Sequence, residues 1–440
     1  NYQFVLNVAG DRIGTTVSYA GDVDGDGLED LLIAANPIHT SSNTRRVYLV
    51  LGSSITPGVD FDLSNADYTF TTEETEDDHF AASAIGIGDY DGDGLDDLLF
   101  SAQYHGFYGR VYLVLGGSLG ANSEISMADA DTIFYTNHNG GLGQSIAAAG
   151  DVNGDGLADI TLAETGRAYL FLGSSTIQSE VNVASADLTV NGSVGYFNVS
   201  GAGDVDGDGL DDWLIGEYNY DELSWGCRGR GHIVLGSTVL AQTNITIEET
   251  DYKIVTDYDF YLGRQISSLG DVDGDGLDDI LIGTQTSNFN GENSGAAYIM
   301  LGSTLSSGTS TSYNVWNADY TMYGSSISDF FAFRLGPAGD FDGDGLDDFV
   351  VLSRYNDHGG PDAGTVYLFS GASLPYLAVD NHIDPDTADY RLTGTPSIGY
   401  VDRVSKRPGD LDGDGFDDIL MSSSEAYSQE GLVNVFTDCD

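Results

Sequence analysis

GDVDGDGLEDLLIAA, residues 21–35, crowds five acidic residues and three glycines into ten positions and then turns apolar. Asp22, Asp24, Asp26 and Asp30 repel one another unless a cation sits among them. Hard oxygen ligands at alternate positions, with glycine in the tight turn, are what a calcium ion selects.

The stretch recurs at Gly88, Gly150, Gly203, Gly270, Gly339 and Gly409, giving seven copies spaced 67, 62, 53, 67, 69 and 70 residues apart. Repetition at that period is the organising fact of the chain. An EF-hand loop would place a bidentate glutamate at its twelfth position, which here is Ile33, and would lead into a helix. The exits are instead short apolar runs such as LLIAA and FVVLS, which are strand signals. What remains is a nine-residue loop joining two strands. Positions 1, 3, 5 and 9 supply side-chain oxygens and position 7 a backbone carbonyl.

The expected ligands are Asp22, Asp24, Asp26, Leu28 and Asp30 in the first copy, and Asp89, Asp91, Asp93, Leu95 and Asp97 in the second. The third has Asp151, Asn153, Asp155, Leu157 and Asp159, and the fourth Asp204, Asp206, Asp208, Leu210 and Asp212. Asp271, Asp273, Asp275, Leu277 and Asp279 follow, then Asp340, Asp342, Asp344, Leu346 and Asp348. The last set is Asp410, Asp412, Asp414, Phe416 and Asp418. Up to seven Ca²⁺, one per unit, are expected.

Each unit carries three further marks. A strand such as LGQSIAAAG precedes the loop, and a strand ending in Leu-Gly-Ser, such as GRVYLVLGGS, follows it. An Ala-Asp or Thr-Asp pair then opens a fourth strand, as in ADYTF at 66 and TDYKIV at 250. Four short antiparallel strands per unit make one propeller blade. Residues 1–440 are therefore expected to form a single all-β, seven-bladed propeller domain. The last copy lacks a fourth strand, and Tyr2 to Val8 stands where that strand belongs. An open sheet edge is an aggregation hazard, so the N-terminal strand is expected to complete the blade carrying Asp410.

On these residues the chain resembles the FG-GAP repeat of the integrin alpha-chain N-terminal propeller and its bacterial relatives. The resemblance implies a seven-bladed propeller with calcium in the hairpin between the first and second strands, and ligand binding on the opposite face. Three features depart from it: a calcium loop in all seven copies, Asn153 in the third, and the charged YVDRVSKRPGD before the seventh.

The formal net charge is −55, and 27 of the 70 acids sit at loop ligand positions. Such a field disfavours nucleic acid and anionic membranes, and no apolar run approaches the roughly 20 residues of a membrane helix. Calcium loops of this kind suit the millimolar Ca²⁺ of an extracellular or cell-surface setting. Cys227 and Cys439 fall on opposite faces of the expected propeller, so both are expected as free thiols. A monomer is expected.

No nucleophile elbow, P-loop or zinc-protease motif occurs. Loops after the second and fourth strands collect His39, His79, His105, His138 and His358, together with clustered aromatics. Trp225, Tyr220 and Arg228 in one loop, and Tyr104 and Tyr108 in another, are the candidate ligand-binding residues, since aromatic faces stack on sugars or anchor protein partners. Arg264, Arg334 and Arg403 occupy similar places near the axis and either pair with loop carboxylates or receive an anionic ligand. The reading is a non-catalytic binding or adhesion module for a protein or glycan. The alternatives are a polysaccharide lyase on a propeller scaffold and a spacer within a larger surface protein.

Overall fold

The acidic loops are hairpin connections, and the strands that flank them build seven sheets arranged as a ring. The computed structural model describes residues 2–6, 11–37, 45–72, 79–192, 195–219, 228–257, 261–308, 310–394, 401–424 and 431–437. Blade 1 runs outward through Asp11–Gly21, Asp30–Pro37, Arg46–Val50 and Tyr68–Thr71, each pair antiparallel. Blades 2 to 6 repeat this order. Their second strands, such as Asp97–Ala102 and Asp159–Glu164, are buried at every residue. Both faces of those strands pack on neighbouring sheets, which is why they read as continuous apolar runs without alternation.

The core is correspondingly divided into seven apolar clusters, one between each pair of successive blades. The cluster joining blade 7 to blade 1 contains Phe4, Tyr19, Leu31 and Val433. The ring closes as expected: Tyr2–Val5 pairs antiparallel with Leu432–Phe436, Phe4 opposite Val433. Blade 7 is therefore Arg403–Val404, Ile419–Ser423, Leu432–Phe436 and Tyr2–Val5. Cys227 and Cys439 lie outside the described residues.

Six of the seven sheets have a fifth strand that the four-strand reading omitted. It is two or three residues long and comes from the next repeat, running parallel to the fourth strand, as Glu124–Ser126 does beside Tyr68–Thr71. A capped 3₁₀ turn follows each one and buries a single apolar side chain: Leu63, Met127, Val183, Ile247, Val315 or Pro385. The Ala-Asp signal then has a structural meaning. Asp67 accepts the Leu51 N–H and the Ser54 hydroxyl, holding the turn at the end of the third strand. Asp131, Asp187, Asp251, Asp319 and Asp389 accept the matching backbone N–H groups in the next five blades.

A second set of ties runs between blades. The residue before the ninth loop position donates its N–H to the carbonyl of the first loop aspartate of the preceding blade, as Asp211 does to Asp151. Its carboxylate accepts that aspartate's N–H in return, at 2.7 Å for Asp211. The same return bond is made by Asp96, Asp278, Asp347 and Asp417. The glycine opening the loop is required twice over. Gly150 has φ +84°, and a Cβ there would overlap the Asp211 carboxylate. Gly150→Ala is therefore expected to cost about 2 kcal/mol in reversible melting, combining left-handed strain with the clash. In an Asp211→Ala background the added cost should fall toward the roughly 1 kcal/mol of conformational strain alone; an undiminished cost would show that the inter-blade contact is not the constraint.

Candidate functional site

Seven acidic hairpins occupy one face of the ring. In the first, Asp22 accepts the N–H groups of Gly25, Asp26 and Gly27, and Asp26 accepts that of Leu28. These bonds curl the loop so that its carboxylates face one another, and the pattern repeats around Asp89, Asp204 and Asp271. Carboxylate oxygens of Asp22, Asp24 and Asp30 lie within 4.8 Å of one another. The same holds for Asp89, Asp91 and Asp97, for Asp204, Asp206 and Asp212, and for Asp271, Asp273 and Asp279. In the sixth blade the close set is Asp340, Asp342 and Asp344. Positions 1, 3 and 9 thus converge in the first, second, fourth and fifth loops, and positions 1, 3 and 5 in the sixth. In the third loop the Asn153 amide donates to Asp155 at 3.0 Å, a contact that an aspartate there could not make.

The ninth position differs from the others in being buried. Asp30 is fully inaccessible, and its two oxygens accept the N–H groups of Val23 and Gly52. Gly52 belongs to the Leu-Gly-Ser turn, so one carboxylate joins the loop to the far end of the third strand. Asp97, Asp159, Asp212, Asp279 and Asp348 make the same pair of bonds. Burial raises all of these carboxyls despite the backbone donors, Asp30, Asp97, Asp159 and Asp348 to about 7 and Asp212, Asp279 and Asp418 to about 8. A carboxylate set of this kind, convergent, hard and short of positive charge, fits a divalent cation.

The opposite face holds the ends of the second and fourth strands. Tyr104 and Tyr108 are there, 53% and 47% exposed, flanking a short turn, and Tyr104 meets His79 edge-on at 4.5 Å. Arg228 is exposed, whereas Tyr220 and Trp225 lie outside the described residues. Tyr218, from the same long loop, stacks on Tyr196 and accepts the Gln144 amide, with the Arg264 guanidinium 5.9 Å from its ring. The histidines do not share one centre among the described residues: His105 contacts Tyr112, His138 lies 3.6 Å from Glu164, and His358 lies 3.1 Å from Asp386. His39 lies outside the described residues. Arg264, Arg334 and Arg403 line the central channel rather than pairing with the acidic loops.

One aromatic cluster had no counterpart in the sequence reading. Phe289 stacks on Tyr323 at 3.9 Å, with Trp316 at 6.0 Å from Phe289 and His382 stacked on Tyr323 at 5.0 Å. Phe289 and Trp316 are exposed. Phe289, Trp316 and Tyr323 lie far apart within one repeat, and His382 is brought to them from the next by the short parallel strand His382–Ile383, so no local motif announces them.

The family model described as FG-GAP repeat matches residues 81–114, 263–300 and 334–369, each spanning a loop and its flanking strands. The chain is 30% identical to integrin alpha-PS2 of Drosophila melanogaster over 253 residues, 56% of this chain and 16% of that protein. It is 28% identical to human integrin alpha-E over 205 residues, 41% of this chain and 16% of the relative. Bovine phosphatidylinositol-glycan-specific phospholipase D is also similar, 28% identical over 207 residues and 23% of its length. The chain thus spans less than a quarter of the curated relatives it matches. Among the described residues, no helix is long and apolar enough to cross a membrane. Seven blades, the loop-bearing hairpins and these matches together show an integrin-alpha-like seven-bladed propeller that carries FG-GAP repeats at residues 81–114, 263–300 and 334–369.

Proposed function

We propose that residues 1–440 act as one calcium-stabilised, extracellular binding or adhesion module without catalysis of its own. It recognises a protein or glycan through the face opposite the acidic loops. The observation that carries this reading is the contrast between the two faces. The loop face repeats one acidic hairpin seven times and offers little variation for recognition. The other face presents unlike loops with exposed Tyr104, Tyr108, Tyr196 and Arg228 on a rigid ring, and binding residues concentrate on such loops. The integrin relatives support a binding module; the phospholipase D match keeps an attached enzyme in view without assigning one to this chain.

In the loops, the side chains at positions 1, 3, 5 and 9 and the carbonyl at position 7 would hold Ca²⁺, which neutralises carboxylates that otherwise oppose folding. The sign of the pH effect follows from the ninth-position carboxyls. Their folded values of about 7 to 8 exceed the usual 3.9, so the folded state holds protons that the unfolded chain has lost. In excess chelator, stability is therefore expected to be greatest below about pH 4 and to fall as pH rises toward 8. Added Ca²⁺, which binds the ionised form, should raise the melting temperature most at pH 8 and least at pH 4. Equal melting curves with and without Ca²⁺ at pH 8 would refute the assignment.

Recognition is tested on a glycan array and by capture of soluble protein ligands, alongside absorbance at 235 nm for unsaturated uronate release. Saturable binding without release is expected; release would favour the lyase. Trp225→Ala and Tyr104→Ala are each expected to weaken binding by about 2 kcal/mol, as interface hot spots do, with little change in melting. Full affinity in both variants would place the ligand elsewhere.

A further inference from the structure

Only 15 of the 440 residues are Lys or Arg, yet four of them meet on the propeller axis. The first strands of the blades surround a channel, and a cavity of about 260 Å³ within it is lined by Arg264, Arg334, Arg403 and Lys406. Among the described residues lining it, none is Asp or Glu, in a chain that carries 70 of them.

The cluster has little counter-charge. Arg403 donates to the carbonyls of Thr15 and Asp402 and lies 3.6 Å from the Asp402 carboxylate. That carboxylate already accepts the backbone N–H and the hydroxyl of Ser424. Arg334 donates to the Phe333 carbonyl and lies over the Phe333 ring. Among the described residues, neither Arg264 nor Arg334 nor Lys406 forms an ion pair. Surrounding protein, and then the positive charges of Arg334 and Arg403, bring the Lys406 ammonium down to about 8. Burial and then Arg403 bring Arg334 down to about 9. Cations that repel one another in a confined space, with their donors incompletely used, form a receptor for negative charge.

Lys406 also marks a break in the repeat. Three residues before the loop glycine, the other blades place Ser18, Ile85, Ala147, Ser200, Ser267 and Gly336, all small or apolar. Blade 7 alone places a long cation there, one of the chain's two lysines, after a first strand of only two residues. Its side chain is exposed to the channel and borders a second, mainly apolar cavity of about 240 Å³ toward the loop face. Lys406 therefore forms the floor between a cationic chamber and an apolar one.

We propose that the cationic chamber binds one small oxyanion, a carboxylate or sulfate group on a molecule no larger than a monosaccharide acid. Lys406 meets it from the floor, and the Arg264, Arg334 and Arg403 guanidinium groups meet it from the wall, in the geometry that suits oxyanions. Tyr218 beside Arg264 offers an aromatic face at the rim for a sugar ring. The site is separate from the outer-loop reading and stands whether or not those loops bind a macromolecule.

The test is calorimetric titration of the calcium-loaded chain with sodium sulfate and with sodium glucuronate, each against sodium chloride of matched ionic strength. Saturable binding near one equivalent is expected for at least one of them; glucuronate alone indicates a sugar acid, and sulfate alone a sulfate-bearing or inorganic ligand. Lys406→Met should weaken it at least tenfold while raising the melting temperature, because an unpaired cation is removed. Arg264→Gln, on the wall of the chamber, should weaken it independently. No saturable binding of either anion, or unchanged affinity in both variants, would overturn the proposal.

Discussion

A buried carboxylate at the ninth loop position is the constraint on which the rest of the blade depends. Asp30 lies at the first residue of the second strand and accepts N–H groups from the loop behind it and from the turn after the third strand. The loop, the second strand and the turn 22 residues further on are thereby held by one carboxylate. The arrangement is costly without a cation, since burial disfavours the charged form of a group surrounded by other aspartates. In the proposed calcium sites, metal affinity and blade geometry would be one property, because the residue that would complete the ion's shell also anchors the hairpin.

From that anchor the structure extends sideways. Asp96, Asp211, Asp278, Asp347 and Asp417 reach back to the preceding loop, so each hairpin is positioned by its neighbour as well as by its own sheet. Two places break the pattern. Blade 3 has Ala158 and keeps only the backbone half of the tie. Blade 1 has Glu29, which turns onto the N–H of Gly21 in its own loop instead of crossing to Asp410. The second break falls at the seam where the chain's two ends meet. There the ring is held by the Tyr2–Val5 pairing and by the Phe4 cluster rather than by the carboxylate tie.

The legible parts of the fold are those written in residues with one physical use. Aspartates at alternate positions with intervening glycines have few alternatives to a metal loop, and the open edge of Leu432–Phe436 is the one that Tyr2–Val5 fills. The fifth strands escaped because two or three residues, as in Phe61–Asp62, are too short to show a period. Their turns were seen only through the Ala-Asp pairs that follow. The Phe289, Tyr323, Trp316 and His382 cluster escaped in part for the same reason, since His382 is carried by one of those strands. Arg264, Arg334 and Arg403 were legible as a group by their shared place in the repeat, but their destination was not. Whether such a residue points to the loops or to the axis depends on the twist of its strand.

The two ends of the channel show how a repeat protein acquires a site. Symmetry requires that any residue common to all blades appear seven times around the axis, which suits packing but cannot shape a pocket for an asymmetric molecule. Distinction must come from positions where one blade departs. Blade 7 departs most, with Lys406, Arg407 and Pro408 where the other blades place mainly small or apolar residues. It is also the blade assembled from both ends of the chain, with a first strand reduced to Arg403–Val404. A shortened strand gives up ladder hydrogen bonds and frees the following residues to project into the channel. The irregular blade therefore supplies Lys406 to the floor of the cationic chamber and Arg403 to its wall, which the regular blades complete with Arg264 and Arg334.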